Sequence, residues 1–219
     1  MKLKKKNIII SICLIILSVI YTILVKYVDV APIGPKASSV GFSTLNKFVF
    51  NFLGRSNIWY NITEVLGMIS ILIALFYALI GFYKLIKNKS ILKIDKEIII
   101  LGIFYFVVLL VYLFFEKVII NYRPVLVKGV LEASYPSSHT MLSICICLSA
   151  MIINNKLYKS MRISKIINTL SIIIMITTTV GRLLSGMHWI SDILGGIIIS
   201  ICLSYIFKTV IYSLNEEES

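Results

Sequence analysis

Long apolar runs separated by short polar segments dominate this chain. A helix that crosses a bilayer needs about 20 predominantly apolar residues. Six runs approach or reach that length, at roughly 7–28, 64–83, 97–115, 139–153, 166–181 and 189–207. The fourth and fifth become long enough only with the polar residues beside them, which a bilayer tolerates where such residues face a protein-lined cavity. The pattern predicts an all-α polytopic membrane protein, with six transmembrane helices in one bundle and a single domain over 1–219.

The connection at 29–63 contains a second kind of pattern. After two prolines, Ser43 is a candidate cap for a short amphipathic helix. Its apolar positions are Leu45, Phe48, Val49, Phe52 and Leu53, with Asn46, Lys47 and Asn51 opposite. We expect either an interfacial helix, with Trp59 and Tyr60 near the headgroups, or a loop helix packed on the bundle.

Charge adds an orientation to this picture. The chain is 58% hydrophobic and carries a net charge of +12, but its lysines lie between apolar runs, so we expect no nucleic-acid partner. Three clusters fall on one side of a six-span chain: Lys2, Lys4, Lys5 and Lys6; Lys84, Lys87, Lys89, Lys93 and Lys96; and Lys156, Lys159, Arg162 and Lys165. The positive-inside rule makes that side cytoplasmic, so we expect both termini inside the cell and the connections 29–63, 116–138 and 182–188 facing outward from the cell membrane.

Three ionisable residues stand in the apolar flank at 181–192. His188 and Asp192 are four residues apart, so on a helix the carboxylate can orient the imidazole. Arg182, one loop upstream, carries a fork of donors suited to phosphate oxygens. A pair of this spacing is, taken alone, more often a structural hydrogen bond than a catalytic pair.

Two further segments add similar chemistry on the predicted outer side. Arg123 precedes Pro124, which turns the chain. Further on, Pro136 stands at the start of the fourth run, where the amides of Ser137, Ser138 and His139 would be free to bind an anion.

The predicted outer side thus contains two arginines, two histidines and the start of a helix. This combination is typical of a phosphoryl-transfer site. Arg123 and Arg182 would clamp the phosphate oxygens, while His188, held by Asp192, attacks phosphorus. His139 would then protonate the leaving oxygen. Because no carboxylate cluster suited to magnesium lies on this side, we expect a phosphohistidine mechanism with no metal and no cofactor.

These residues resemble the signature of the type 2 phosphatidic acid phosphatase superfamily, membrane relatives of the vanadium haloperoxidases. The family pattern is Lys-x6-Arg-Pro, then Pro-Ser-Gly-His, then Ser-Arg-x5-His-x3-Asp. Here Ser138 stands in the glycine place of the second part and Gly181 in the serine place of the third. The resemblance extends over 116–192. It implies His188 as nucleophile with Asp192 as its partner, His139 as acid, and Arg123, Ser137 and Arg182 as phosphate ligands.

The first part of the signature departs from the family pattern. Counting back from Arg123 puts Glu116 in the lysine position and Lys117 one residue later. On a helix that shift rotates the side chain by about 100°, so Lys117 reaches a phosphate only if the helix is locally unwound.

Several functions are consistent with a phosphate-binding site in a polytopic membrane protein. We favour a lipid phosphatase acting on a lipid phosphate or diphosphate, such as a polyprenyl diphosphate. A phosphatidic acid or phosphatidylglycerophosphate phosphatase is the alternative within enzymes, and a non-catalytic lipid transporter or binder is the alternative outside them. The sequence leaves the oligomeric state open.

Overall fold

The computed structural model describes residues 2–157 and 161–217, and its regular structure there is helical. Within these ranges the α-helices are α1 (Lys2–Tyr27), α2 (Ser43–Leu53), α3 (Asn57–Asn88), α4 (Lys96–Lys117), α5 (Ser138–Leu157), α6 (Met161–Leu184) and α7 (Ile190–Glu217). All except α2 contain a segment long and apolar enough to cross a membrane. The predicted all-α membrane fold with six spans is therefore confirmed. Lys159, one of the residues used for orientation, lies outside the described residues.

Helix α5 lies at the centre of the bundle, where it contacts α3, α4, α6 and α7. This position explains why the fourth apolar run is interrupted by polar residues. Ser149 is buried and donates to Ile146 O, while Asn154 Oδ1 accepts a 2.6 Å hydrogen bond from Tyr77. These polar groups are satisfied inside protein and do not meet lipid, as the sequence predicts for this span.

Two helices extend further toward the site than their apolar runs indicate. Helix α3 begins at Asn57, capped by Ser56, where the sequence predicted a start near residue 64. Helix α6 continues to Leu184, so Arg182 lies in its last turn and not in a loop. At the start of α3 and at the end of α6, polar residues that face the protein interior lower the local hydropathy. The hydropathy pattern alone therefore did not predict these turns as helical.

Helix α2 packs on the bundle through Asn46 and through Phe50, whose ring lies 5.5 Å from that of Trp189. Asn46 is fully buried, donates to Gly41 O and Ser191 Oγ, and accepts from Ser191 N.

Of the apolar positions of α2, Leu45, Phe48 and Phe52 are exposed, whereas Val49 and Leu53 are half-buried. Lys47 and Asn51 are exposed as well. An interfacial position for the exposed side stays a prediction, while the opposite side of the helix packs on the bundle.

The cap of α2 differs from the prediction. Ser43 is the first helical residue, and the carboxylate of Asp29 accepts hydrogen bonds from Thr44 N (2.8 Å) and Ser43 Oγ (2.9 Å). These bonds, led by the one from the Thr44 amide, lower the pKa of Asp29 below its ordinary value. A residue distant in sequence therefore supplies the cap.

Candidate active site

The predicted site residues converge where α5 begins, α6 ends and α7 begins. The connection between α4 and α5 folds back on itself, with isolated bridges at Tyr122–Ala133 and Val127–Val130. This arrangement brings Asn121 and Ser134 together through a 2.9 Å backbone hydrogen bond. Both residues then contact the His188–Asp192 pair, which the sequence did not predict.

His188 is held by a backbone carbonyl. Its Nδ1 donates to Ser134 O at 3.0 Å, whereas the nearest approach to Asp192 Oδ2 is 4.0 Å. Nδ1 therefore carries the proton, and Nε2, 3.5 Å from Arg182 Nη2, presents its lone pair to the guanidinium. The predicted direct hydrogen bond from the imidazole to Asp192 is wrong, because 4.0 Å is too long for one. The tautomer is set by Ser134, and the Asp192 carboxylate acts across a longer distance.

The environment of His188 favours its neutral form. The side chain is only 2% exposed, and burial is the main reason why its pKa lies well below the ordinary value of 6.5. The positive charges of Arg123 and Arg182 lower this pKa further, while the hydrogen bond to Ser134 opposes them. A neutral imidazole whose Nε2 carries no proton is the form that can act as a nucleophile.

We expect the His188 ring to stay neutral, with its proton on Nδ1, as pH falls below 6.5. Because the folded pKa is lowered, protonation begins only when pH approaches that lowered value. The chain contains only two histidines, so nitrogen-15 NMR of histidine-labelled protein resolves each ring, and His139→Gln assigns the remaining signal. A His188 ring that titrates near 6.5 or above would contradict the geometry described here.

Asp192 is buried and fully engaged. Its Oδ2 accepts from Trp189 N at 3.0 Å and its Oδ1 from Asn121 Nδ2 at 3.1 Å. These bonds fix the carboxylate at the first turn of α7, beside the ring of His188. The negative charge is thus placed where a positive charge on His188 would develop.

Arg182 forms the centre of the cluster. Its Nη1 donates to Glu64 Oε1 at 2.9 Å and to Thr63 Oγ1 at 3.3 Å, and its guanidinium carbon lies 5.7 Å from the centre of the Tyr60 ring. The residue is 1% exposed. All three partners belong to the first turns of α3; the sequence had assigned Tyr60 and Thr63 to a connection and Glu64 to the start of the span. The available signal was Glu64, the only acidic residue in α3, because a charge within a span is by default a candidate functional residue.

His139 faces the same carboxylate. Its Nε2 lies 3.4 Å from Glu64 Oε1, and its ring rests on Gly67, where an added Cβ would come within 2.7 Å of Cδ2. Among the described residues no group accepts from or donates to its buried Nδ1. The two predicted histidines therefore both lie near Arg182: Nε2 of His188 approaches its guanidinium, and Nε2 of His139 approaches the Glu64 carboxylate that the guanidinium contacts.

The other predicted phosphate ligands differ in position. Arg123 is largely buried, with Nε 3.1 Å from Glu132 Oε2. Ser138 begins α5 and lines a cavity of about 280 Å³ with Glu64 and His139. Lys117 ends α4 with an exposed side chain, and within the described residues no hydrogen bond or ion pair joins it to the cluster.

Ser137 corrects the prediction of three free amides at the start of α5. Its amide donates to Asp192 O at 3.0 Å, and its hydroxyl accepts from Thr140 Oγ1 at 3.0 Å. The residue is fully buried. The Ser137 amide therefore joins α5 to α7, which leaves its hydroxyl as the group that could meet a phosphate.

Gly181 explains one departure from the family pattern. An added Cβ there would lie 2.6 Å from Thr63 Cγ2 and 2.9 Å from the Trp59 ring. The contact holds α6 close to α3, and so places Arg182 beside Thr63 and Glu64. Trp59 packs into this contact, and its position near the headgroups stays a prediction.

We expect Gly181→Ser to destabilise the protein by about 1–3 kcal/mol, since an overpacked contact forces neighbouring groups apart. Thermal unfolding in detergent measures the loss. Gly102→Ser in α4 is the matched control, because an added Cβ there meets nothing within 4 Å. Equal effects of the two substitutions would contradict the close α3–α6 contact.

Among residues 2–157 and 161–217, no three His, Cys, Asp or Glu side chains come together as a group able to hold a metal ion. Glu64 adds to the site a carboxylate that was not among the residues predicted from the sequence. It faces Arg182 and His139, and Asp192 faces Asn121 and the Trp189 amide.

Comparison with known proteins gives two matches. The model of the PAP2 superfamily matches residues 101–216, which is more than half of the chain and includes every motif residue from Lys117 onward. A solved structure is similar over 95% of this chain and 97% of its own, with a TM-score of 0.59 and 15% identity. It is described as the first transmembrane PAP2 type phosphatidylglycerolphosphate phosphatase from Bacillus subtilis. No curated protein matches significantly.

Proposed function

We propose that this chain, which belongs to the PAP2 superfamily, is a multi-pass membrane phosphatase that hydrolyses a lipid phosphate or diphosphate through a phosphohistidine on His188. The observation that carries the proposal is the state of His188. Its Nδ1 is held by Ser134 O, and its Nε2 faces the guanidinium of Arg182. A phosphate bound to Arg182 would thus stand next to the nucleophilic nitrogen.

In the first step, the His188 Nε2–phosphorus bond forms as the bond from phosphorus to the leaving oxygen breaks. His139 gives its proton to that oxygen, and Asp192 stabilises the positive charge on the phosphorylated ring. In the second step, water attacks phosphorus, the nitrogen–phosphorus bond breaks, and His139 takes up the proton of the water. Free His188, inorganic phosphate and the lipid alcohol or monophosphate result.

In this scheme, the positively charged side chains of arginines neutralise the negative charge on the transferred phosphoryl group. Arg182 lies beside Nε2, and Arg123 is close enough for its charge to lower the pKa of His188. We assign Ser137 and Ser138 at the start of α5 to the same phosphate, and Lys117 to it only if the end of α4 rearranges. These cations take the part that metal ions play in other phosphoryl transfers, so we propose that the reaction needs no metal.

A lipid substrate is supported by the cavity beside His139. It lies between α3, α4 and α5, and its apolar lining includes Met68, Ile71 and Leu142. The leaving oxygen, which carries the lipid, would be on the His139 side. Apolar surface next to the acid therefore suits a lipid leaving group better than a sugar or nucleoside.

We favour a polyprenyl diphosphate as substrate. A phosphatidic acid or phosphatidylglycerophosphate is the second candidate, because the similar solved structure is described as a phosphatidylglycerolphosphate phosphatase. At 15% identity that likeness concerns the fold, so the substrate has to be chosen by experiment.

We further propose one transmembrane domain over 1–219, with a motif core at 116–192, in the cell membrane with the site facing outward and both termini in the cytoplasm. Support comes from the basic residues. Lys84 and Lys87 near the end of α3, Lys96 at the start of α4 and Lys156 near the end of α5 lie at helix ends opposite to those that form the site.

A panel of purified lipid phosphates tests the function. We expect phosphate release from polyprenyl diphosphate to be fastest and to persist in excess chelator. An inactive variant of the nucleophile, purified in parallel, controls for contaminating phosphatases. A strict metal requirement with pure substrate would contradict the mechanism, and binding of these lipids without any phosphate release would favour the transporter or binder.

A further inference from the structure

The carboxylate of Glu64 stands between two residues of the proposed reaction. Oε1 lies 2.9 Å from Arg182 Nη1 and 3.4 Å from His139 Nε2. In the proposed scheme a bound phosphate contacts this guanidinium, and its leaving oxygen contacts this imidazole. One carboxylate oxygen therefore makes the two contacts that the substrate phosphate would make.

We propose that Glu64 is an internal competitor for phosphate, whose carboxylate occupies the phosphate position on Arg182 until substrate displaces it and returns to that position when product leaves. The inference rests on the proposed function for the identity of the displacing group. Glu64 lies outside all the sequence motifs, and in this proposal its carboxylate sets the affinity of the site for phosphate.

The partners differ in their freedom to move. Arg182 is 1% exposed and also contacts Thr63 and the Tyr60 ring, so the guanidinium stays in place when one partner is lost. The Glu64 side chain is 40% exposed and borders the cavity beside His139. The carboxylate can therefore turn into that cavity while the guanidinium remains for the phosphate.

The site has a physical reason to contain such a competitor. Two largely buried arginines hold a phosphate strongly, since charge-assisted hydrogen bonds gain strength away from water. Asp192 cannot help to expel it, because its oxygens are engaged by Trp189 N and Asn121. Glu132 contacts the other arginine in the same way as Glu64 contacts Arg182. Its Oε2 lies 3.1 Å from Arg123 Nε, and its side chain is also 40% exposed.

A purely structural role for Glu64 makes the opposite prediction. If the carboxylate only held Arg182 and His139 in position, its removal would weaken phosphate binding. If it competes, its removal strengthens binding. The sign of the change in phosphate affinity therefore separates the two roles.

The test is titration calorimetry of inorganic phosphate into the purified full chain in detergent. We expect Glu64→Gln to bind phosphate roughly tenfold more tightly than wild type, because a negative charge next to the bound anion is removed. Thr63→Val removes the neutral partner of the same guanidinium and should not tighten binding. Glu97→Gln removes a carboxylate that lies 2.5 Å from Lys156 at the other end of the bundle, and should leave the affinity unchanged.

Unchanged or weaker phosphate binding by Glu64→Gln would overturn the proposal, and Glu64→Ala provides a second variant if Glu64→Gln does not fold. Turnover gives an independent check. The inhibition constant of phosphate and the KM for lipid substrate should fall by a similar factor in Glu64→Gln. If wild type shows no turnover while Glu64→Gln still binds phosphate more tightly, the proposed function fails and the competitor role stands.

Discussion

Replacing His188 by alanine should lower lipid phosphate hydrolysis by roughly 10⁶-fold, the scale on which loss of a catalytic nucleophile acts. The variant lacks the Nε2 that faces Arg182. The other histidine, His139, has Nε2 turned to Glu64. Steady-state phosphate release, followed over long times with the lipid substrate, measures the loss.

The same variant should retain its phosphate site, because Arg182 keeps its contacts to Thr63 and Glu64. Phosphate binding therefore controls for folding. In rapid-quench experiments with substrate labelled in the transferred phosphate, wild type should yield an acid-labile phosphohistidine at His188. Label on His139, or a rate loss below about 10²-fold, which is the scale of a single general-acid contribution, would contradict the assignment of the nucleophile.

Replacing His139 by alanine should lower the rate by about 10²–10⁴-fold for a lipid alcohol leaving group, since general acid catalysis contributes on that scale. In the first step the loss should be much smaller for an aryl phosphate, whose phenolate leaves without a proton. The second step needs His139 with either substrate, so the burst rate of leaving-group release, and not kcat, is compared for both substrates in wild type and variant.

This leaving-group dependence separates the acid from the nucleophile. His188→Ala should be inactive toward both substrates, because the nitrogen–phosphorus bond cannot form with either. Gly67→Ala offers a graded control, since its Cβ would press on the His139 ring within 2.7 Å and displace it. Equal losses of the burst rate toward both substrates in His139→Ala would show that this residue does not supply the proton to the leaving group.

Much of the architecture could be predicted from the sequence because hydrophobic length is a local property. A run of apolar residues long enough for a bilayer identifies a span whatever its neighbours are. The prediction was less accurate where a span enters the site. The first turns of α3, with Trp59, Tyr60 and Thr63, read as a connection because polar residues there face protein and not lipid.

The identities of the motif residues were also available locally. Arg123, His139, Arg182, His188 and Asp192 stand out as charged or titratable groups at the ends of apolar runs, and the structure brings all five to one end of the bundle. Their roles in catalysis stay predictions. The direct hydrogen bond between His188 and Asp192 that spacing predicted was wrong, because a spacing of four residues predicts a shared face only inside a helix, and His188 precedes the start of α7.

The sequence by itself thus determined the membrane class, the number of spans and the motif residues, since each depends on a short stretch of chain. Only the tertiary structure decided what each motif residue touches. Ser134 O at His188, Asn121 at Asp192 and Glu64 at Arg182 come from segments 54, 71 and 118 residues away. Such contacts depend on how helices and loops pack, and packing is a property of the whole bundle that no local pattern contains.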